Sequence, residues 1–309
     1  MVGLSVDLLG LKVFILCVGL MGNVFLMVAV AQTKFPRVKS FELFLLGLAA
    51  ANLEEIAITT VFDVDFLQAS SRGVDTWSCR SLKFLSKFGE VASIFFTVLI
   101  SVFRQQKLSD AAKRANLPIY LDSIGSARMA SGVCVLLATL LSLPVFAIEP
   151  KEPAGNATGN ATGNATGNAI GCPPDFFQCS KSRCPALNGL YKHVFILVCN
   201  LLPLAVVTVT GCLILAVLLG QRSTVTPASV GSRSGGSTLR RSSVAVLAAM
   251  GLFQVEWTLY LILQLTAVYV DFAFRAEAEL LISFSYTCIS PYVYGIGNDL
   301  FSLKNFKRN

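Results

Sequence analysis

The chain has 309 residues, of which 54% are hydrophobic and only 14% are charged. Because an average soluble domain has roughly 25% charged residues, this composition excludes an ordinary soluble protein and indicates a membrane protein. The net charge of +7 does not indicate a nucleic-acid partner, because the basic residues lie beside the ends of apolar segments rather than in one patch.

Apolar segments long enough to cross about 30 Å of hydrocarbon as helices of roughly 20 residues recur along the chain. They predict an all-α membrane protein, a seven-transmembrane helix bundle in a single domain. About seven residues precede the first segment and no cleavable signal peptide is recognisable, so we expect that segment to act as an uncleaved anchor. The predicted helices lie near residues 8–31, 43–66, 81–103, 127–148, 193–219, 244–268 and 277–297.

The basic residues predict the orientation of the bundle. Loops rich in Lys and Arg stay in the cytoplasm. Such residues concentrate in the connections 32–42, 104–128 and 220–243 and in the tail, 298–309. With seven spans, this pattern places the N-terminus outside and the tail inside, in a multi-pass protein of the plasma membrane.

The third segment carries three charges in its predicted outer half, Lys83, Lys87 and Glu90. At 100° per residue the three side chains fall on one face of a helix. A charge at the bilayer centre costs roughly 2.5 to 3.5 kcal/mol, so this face is expected to point into the bundle. There the charges either line a binding cavity or pair with each other or with Glu55 of the second segment.

The connection 149–192 is predicted to be an extracellular loop that carries sugars. It contains GNATGNATGNATGNAI, with three Asn-X-Thr acceptors at Asn156, Asn160 and Asn164. The fourth copy, at Asn168, is followed by Ala-Ile and is not an acceptor. The Gly, Asn, Ala and Thr content of this connection favours a flexible loop over a packed core.

Nine cysteines divide between the spans and the outer side. The five within spans are interpreted as small apolar core residues. Outer cysteines favour disulfides, with three connectivities open. A zinc site is the alternative, but no histidine is near and the spacing is not CxxC. The outer cysteines are Cys79, Cys172, Cys179 and Cys184.

Short motifs follow each other in a fixed order along the chain. Cys79 opens the third segment and Arg104 closes it 25 residues later. The ordered set resembles class A, or rhodopsin-like, G-protein-coupled receptors, in which a cysteine at this place is tied to the second extracellular loop. The other matching stretches are GNV from Gly22, LAAAN from Leu48, Pro203, FQVEW from Phe253, SPYVY from Ser290 and Phe301.

Several positions depart from the usual pattern of that family. Asn52 stands for the usual Asp and Phe103 for the acid before Arg104, so neither the usual sodium site nor the usual resting salt bridge is expected. Together with SVFRQQKL, these departures are similar to the vomeronasal type 1 and olfactory class A related receptors, which are pheromone or odorant receptors. Taste type 2 receptors and other peptide or small-molecule receptors of class A are the alternatives.

The resemblance implies a small organic ligand, a heterotrimeric G protein and no cofactor or metal. We expect a polar or amphiphilic ligand, such as an acid bound by Lys87, in a pocket on the extracellular side. The resemblance also implies a short cytoplasmic eighth helix within 298–309. Ligand contacts are expected from Lys83, Lys87, Glu90, Glu55, Glu256, Trp257, Tyr260 and His193, and coupling to the G protein from Arg104, Phe253, Pro291 and Tyr294.

Functions of other classes fit the sequence less well. A retinal protein needs a lysine in its last helix, and 280–297 contains none. An ion-coupled transporter could use the intramembrane charges, but the inverted repeats and broken helices of such folds are not evident. GxSxG and HExxH are absent, so no hydrolase is predicted.

Overall fold

A computed structural model describes residues 2–32, 39–68, 76–113, 120–148, 177, 179, 184–223, 233–266 and 275–297. Within these ranges the chain forms seven long helices and no β-strand, which confirms the predicted helix bundle. The first four are Val2–Ala31, Ser40–Gln68, Thr76–Lys113 and Ile124–Ser142. The fifth comprises Ala186–Phe195, a π-helical turn Ile196–Leu201 and Leu202–Ser223, the sixth is Arg233–Thr266 and the seventh is Arg275–Gly297.

Two helices extend furthest beyond the apolar segments that predicted them. The third continues past residue 103 to Lys113, and the sixth begins at Arg233 rather than near 244. Hydropathy marks only the part of a helix that lies in the membrane. The stretch after Phe103 contains Gln, Lys and Ala, which are good helix formers in water, so the helix continues beyond the apolar segment, and Leu108 still packs in the core. The predicted eighth helix and the acceptors Asn156, Asn160 and Asn164 lie outside the described residues.

Five of the described helices are long and apolar enough to cross a membrane by length and composition alone. The second and seventh, searched over their described residues only, are not among them, and both carry polar side chains. Those side chains are buried in the bundle, as Asn52, Glu55, Thr287 and Ser290 illustrate, so they do not meet lipid. Apolar side chains such as Phe14, Leu136 and Leu197 instead form the exposed surface of the other helices.

The third helix is the central element, in contact with the second, fourth, fifth and sixth helices. The first helix packs on the second and on the seventh, and the seventh packs on the sixth, so the helices close into a ring. Close approach of the second and third helices depends on Gly47, because a Cβ atom there would overlap the Phe96 ring. The largest fully buried side chains include Phe44, Leu48, Ile100, Phe253 and Tyr294.

The cysteines follow the division predicted from their positions. A disulfide joins Cys179 to Cys184, and Cys79 is also disulfide-bonded. Cys172 lies outside the described residues. The five cysteines within the helices are free thiols: Cys17, Cys134, Cys199, Cys212 and Cys288.

Candidate functional site

The charged face of the third helix points into the bundle. Lys83, Lys87 and Glu90 are only 7%, 8% and 6% exposed. A helix within the ring can bury three charges on one side only if that side meets other helices, so these side chains do not face acyl chains. The orientation is the one that their spacing predicts.

Lys87 and Glu90 form a buried ion pair. Lys87 Nζ donates to Glu90 Oε2 over 2.5 Å, between residues three positions apart on the same helix. The other carboxylate oxygen, Glu90 Oε1, is buried and has no hydrogen-bond partner among the described residues. A buried carboxylate oxygen without a donor is costly, so this atom is an acceptor available to a ligand.

Aromatic side chains of the fifth helix lie beside this pair. Lys87 Nζ is 5.1 Å from the centroid of the Phe195 ring, a distance typical of a cation–π contact. Phe195 packs edge-on against Tyr191, one turn earlier, with ring centroids 5.9 Å apart. Phe177, from the predicted extracellular loop, packs on both rings at 5.6 Å and 5.8 Å.

This aromatic group was not predicted from the sequence. The four-residue spacing of Tyr191 and Phe195 does indicate one helical face. Nothing in the sequence indicates that Phe177 reaches them across the loop.

The acids of the second helix have different neighbours. Glu55 is buried, and its Oε2 accepts a hydrogen bond of 3.0 Å from Thr287 of the seventh helix. The sequence left Lys87 to pair with Glu90 or with Glu55; its ion pair is with Glu90, and Glu55 is close enough to interact with its charge. Glu54 approaches the third helix at Gly89, where a Cβ atom would overlap its carboxylate. Both oxygens of Glu54 are buried without a hydrogen-bond partner in the described part of the chain.

The sixth helix contributes Glu256, Trp257 and Tyr260, all of which are buried. The rings of Trp257 and Tyr260 meet edge-on with centroids 5.2 Å apart. The Tyr260 hydroxyl is close enough to Lys87 to interact with its charge. Glu256 lies within hydrogen-bonding reach of Ser285 in the seventh helix. Its Oε2 has no hydrogen-bond partner within the described ranges.

His193 is not brought into this group. Its side chain is exposed, and its Nδ1 lies 2.6 Å from the carbonyl oxygen of Gly189 on the same helix. The predicted contact between His193 and a ligand therefore has no geometric support beyond its position on the fifth helix.

The residues expected to couple to a G protein lie towards the other end of the bundle. Arg104 is 9% exposed, and its guanidinium carbon lies 3.6 Å from the centroid of the Phe41 ring. Tyr294 is fully buried and close enough to interact electrostatically with Arg104. Pro291 lies inside the seventh helix, three residues before Tyr294. Phe253 is buried between Trp257 and Tyr286, with ring centroids at 5.8 Å and 5.5 Å.

Between the two groups lies a network of uncharged polar side chains. Asn52 Nδ2 donates to Asn23 Oδ1 over 3.1 Å, and Ser93 Oγ donates to Asn52 Oδ1 over 2.7 Å. Asn52 Nδ2 also lies 3.4 Å from Ser290 Oγ. Asn52 is therefore held by neutral partners in the first, third and seventh helices. The described residues include no group of three or more His, Cys, Asp or Glu side chains that could hold a metal ion.

Comparison with protein families gives a match over most of the chain. The model of the family described as 7 transmembrane receptor (rhodopsin family) matches residues 22–294, which is most of the chain. None of the curated proteins compared with the chain matches it.

Proposed function

The chain belongs to the rhodopsin family of seven-transmembrane receptors, and on that basis we propose that it is a chemosensory receptor for small organic molecules. Membership of the family makes it a multi-pass plasma membrane protein and a signalling receptor, with a ligand and a heterotrimeric G protein as its partners. The proposal adds the kind of ligand, a pheromone or odorant, and the place where it binds.

The observation that supports this binding place is the buried Lys87–Glu90 pair beside aromatic rings. Phe195 and Tyr191 offer apolar surface, and the ion pair offers a charged anchor. Ligand sites are mostly apolar with a few polar groups that fix orientation. A small amphiphile fits this combination, with its polar head at the pair and its apolar part against the rings.

The polar head is proposed to be a hydrogen-bond donor, an amine or a hydroxyl. A carboxylic acid, the ligand suggested by the sequence, either displaces Glu90 from Lys87 or shares the ammonium group with it. Displacement separates a buried pair, which costs about 3–5 kcal/mol, and sharing places two carboxylates beside one buried ammonium. A donor can instead occupy Glu90 Oε1, which has no hydrogen-bond partner among the described residues, while the pair stays intact.

The chemosensory assignment is supported by two of the positions that depart from the usual family pattern. Asn52 makes hydrogen bonds to neutral partners, and Phe103 packs on Phe44 with ring centroids 5.6 Å apart. Asn52 and Phe103 thus both pack in the core without an acidic side chain, as we expect in a branch of the family that lacks acids at these two positions. Such losses resemble the vomeronasal type 1 and olfactory class A related receptors.

Signalling is proposed to occur by a population shift. A ligand that binds the active arrangement of helices better than the resting one moves the equilibrium towards it. If the ligand binds the active arrangement about 5.5 kcal/mol more tightly than the resting one, the active fraction of receptors rises from about 1% to about 99%. The sixth helix then moves outwards, and the inner end around Arg104 receives the G protein.

A screen in cells tests the proposal. The full chain is expressed with a calcium or cyclic nucleotide reporter and exposed to small odorants, including the matched set benzylamine, benzyl alcohol and benzoate. We expect responses to small amphiphiles, with the donor heads ahead of the acid, and loss of the response in Glu90→Gln. Glu42→Gln, at the opposite end of the bundle, serves as the control. Normal surface expression without a response to any compound would contradict the proposal.

A further inference from the structure

The fifth helix buries an asparagine whose side-chain amide makes no hydrogen bond. Asn200 is 3% exposed, and neither its Nδ2 nor its Oδ1 has a partner in the part of the chain that the structure describes. Buried polar groups in folded proteins are nearly always paired, because an unpaired one loses its hydrogen bonds to water without replacement. This position therefore suits a bound group that both accepts and donates a hydrogen bond.

A π-helical turn brings Asn200 to the inner face of the helix. The turn occupies Ile196–Leu201, and the amide of Leu202 donates to the carbonyl oxygen of Leu197, five residues back. In a regular α-helix Asn200 would lie about 140° around the axis from Phe195. Because the bonds of a π-turn join residues five apart instead of four, Asn200 comes round to nearly the same side as Phe195, one turn further into the bundle.

The π-helical turn packs beside the part of the third helix that holds the buried ion pair. Cys199 is fully buried, and it belongs to one apolar cluster with Val91 and Ala92. These two residues directly follow Glu90 in the third helix. Asn200, the next residue after Cys199, therefore lies close to the proposed ligand site, on the cytoplasmic side of it.

We propose that Asn200 is a specificity-determining residue that binds a second polar group of the ligand. The inference rests on the proposed function and makes the ligand class narrower. The ligand's amine occupies Glu90 Oε1, its ring lies against Phe195, and its far end carries a group such as a carboxamide, which pairs with the Asn200 amide through two hydrogen bonds. The two polar ends are about one helical turn apart, roughly 5 Å, a length that one benzene ring with opposite substituents spans.

Two compounds of similar shape test the second contact. In para-aminomethylbenzamide the far end of the ring carries a carboxamide, and in para-isopropylbenzylamine an apolar group of similar size takes its place. The full chain is expressed with the reporter used for the odorant screen, and the potency of each compound is measured. We expect the benzamide to be about tenfold more potent, which corresponds to hydrogen bonds worth about 1.4 kcal/mol together.

Asn200→Leu should remove this preference. Leucine fills nearly the same volume but neither donates nor accepts, so the benzamide should lose about tenfold in potency while the isopropyl compound keeps its own. Thr208→Val is the control on the same helix, because that hydroxyl donates to the carbonyl oxygen of Leu204, two turns further in. The tenfold ratio should persist in this control.

Thermal unfolding of the purified receptor without ligand distinguishes a binding role from a structural one. If a ligand is the partner of the Asn200 amide, the empty receptor leaves that amide unpaired, so Asn200→Leu should raise the melting temperature. A lower melting temperature, with the ratio of the two potencies unchanged, would overturn the proposal, because the amide would then stabilise the fold and not the ligand.

Glu90→Gln separates this inference from the proposed function. If both compounds need Glu90 but are equally potent on the unchanged receptor, the role of Asn200 is refuted while the amine site stands. If neither compound produces a response from receptor at the cell surface, the inference fails, and the proposed function fails with it only when the whole odorant screen is also negative.

Discussion

Arg104 lies over the face of the Phe41 ring, with 3.6 Å between its guanidinium carbon and the ring centroid. Phe41 also stacks with Phe103, the residue before Arg104, at a centroid distance of 6.2 Å. The position before this arginine is usually acidic in the family that the sequence resembles. Here a cation–π contact occupies the place of the salt bridge, and such contacts are worth about 0.5–2 kcal/mol.

Phe41→Leu is expected to raise basal signalling. Leucine fills most of the volume of the ring but offers no π face, so the resting position of Arg104 loses its contact. A loss of about 1 kcal/mol corresponds to a roughly fivefold larger active population. Reporter output without ligand, corrected for surface expression, measures the effect. Phe25→Leu, at an exposed site on the first helix, should leave it unchanged, and equal output from both variants would contradict the prediction.

Changes to the buried pair distinguish a ligand role from a structural one. Lys87→Met or Glu90→Met alone should lower the free energy of unfolding by about 3–5 kcal/mol, because each leaves a buried charge without its partner. The double variant removes both charges and should recover most of the stability. If the double variant reaches the surface but no longer responds to odorants, the pair contacts ligand. A normal response would assign the pair to structure alone.

The exposed ion pair at the inner end of the third helix is the control for that experiment. Lys107 Nζ lies 2.6 Å from Asp122 Oδ2, but the two side chains are 32% and 51% exposed. Exposed pairs contribute about 0–1 kcal/mol. Asp122→Asn should therefore barely change the melting temperature. An effect as large as that of Lys87→Met would contradict the prediction that the buried pair contributes more to stability than the exposed one.

Gly47→Ala should destabilise the bundle. The added methyl group would overlap the Phe96 ring, which is itself buried, so the second and third helices have to separate or the ring has to leave its rotamer. Overpacking of this kind costs about 1–3 kcal/mol. Gly251→Ala is the matched control, because no atom lies near its Cβ position, and alanine there should stabilise the sixth helix by about 0.5–1 kcal/mol. Thermal unfolding in detergent compares the two, and equal shifts would contradict the predicted overlap.

Asn52→Asp should destabilise the protein rather than create the sodium site that is usual in the family. Asn52 Nδ2 donates to Asn23 Oδ1, and aspartate would place a buried negative charge against that oxygen. The melting temperature should fall, because a buried charge without a partner is costly. For the unchanged protein we expect equal melting temperatures in sodium chloride and potassium chloride of the same concentration. A higher value in sodium would show a cation site that the neutral network around Asn52 does not suggest.

The sequence by itself determined the number of helices and the inward face of the third one. Both follow from properties that act along a single helix: a run of apolar residues long enough to cross the bilayer, and a period of 3.6 residues that places Lys83, Lys87 and Glu90 on one side. The short motifs also indicated the family, because each motif lies within one helix and can be recognised without knowing how the helices pack.

Only the tertiary structure decided which side chains meet across helices. Glu55 accepts a hydrogen bond from Thr287, Phe177 packs on Phe195, and Phe41 lies under Arg104. Each contact joins residues that are far apart in the chain, and it depends on how two helices are rotated and shifted against each other. A rotation of one residue, about 100°, would exchange every partner without altering the hydropathy of either helix. The polar and aromatic partners are therefore set by packing, which local pattern does not encode.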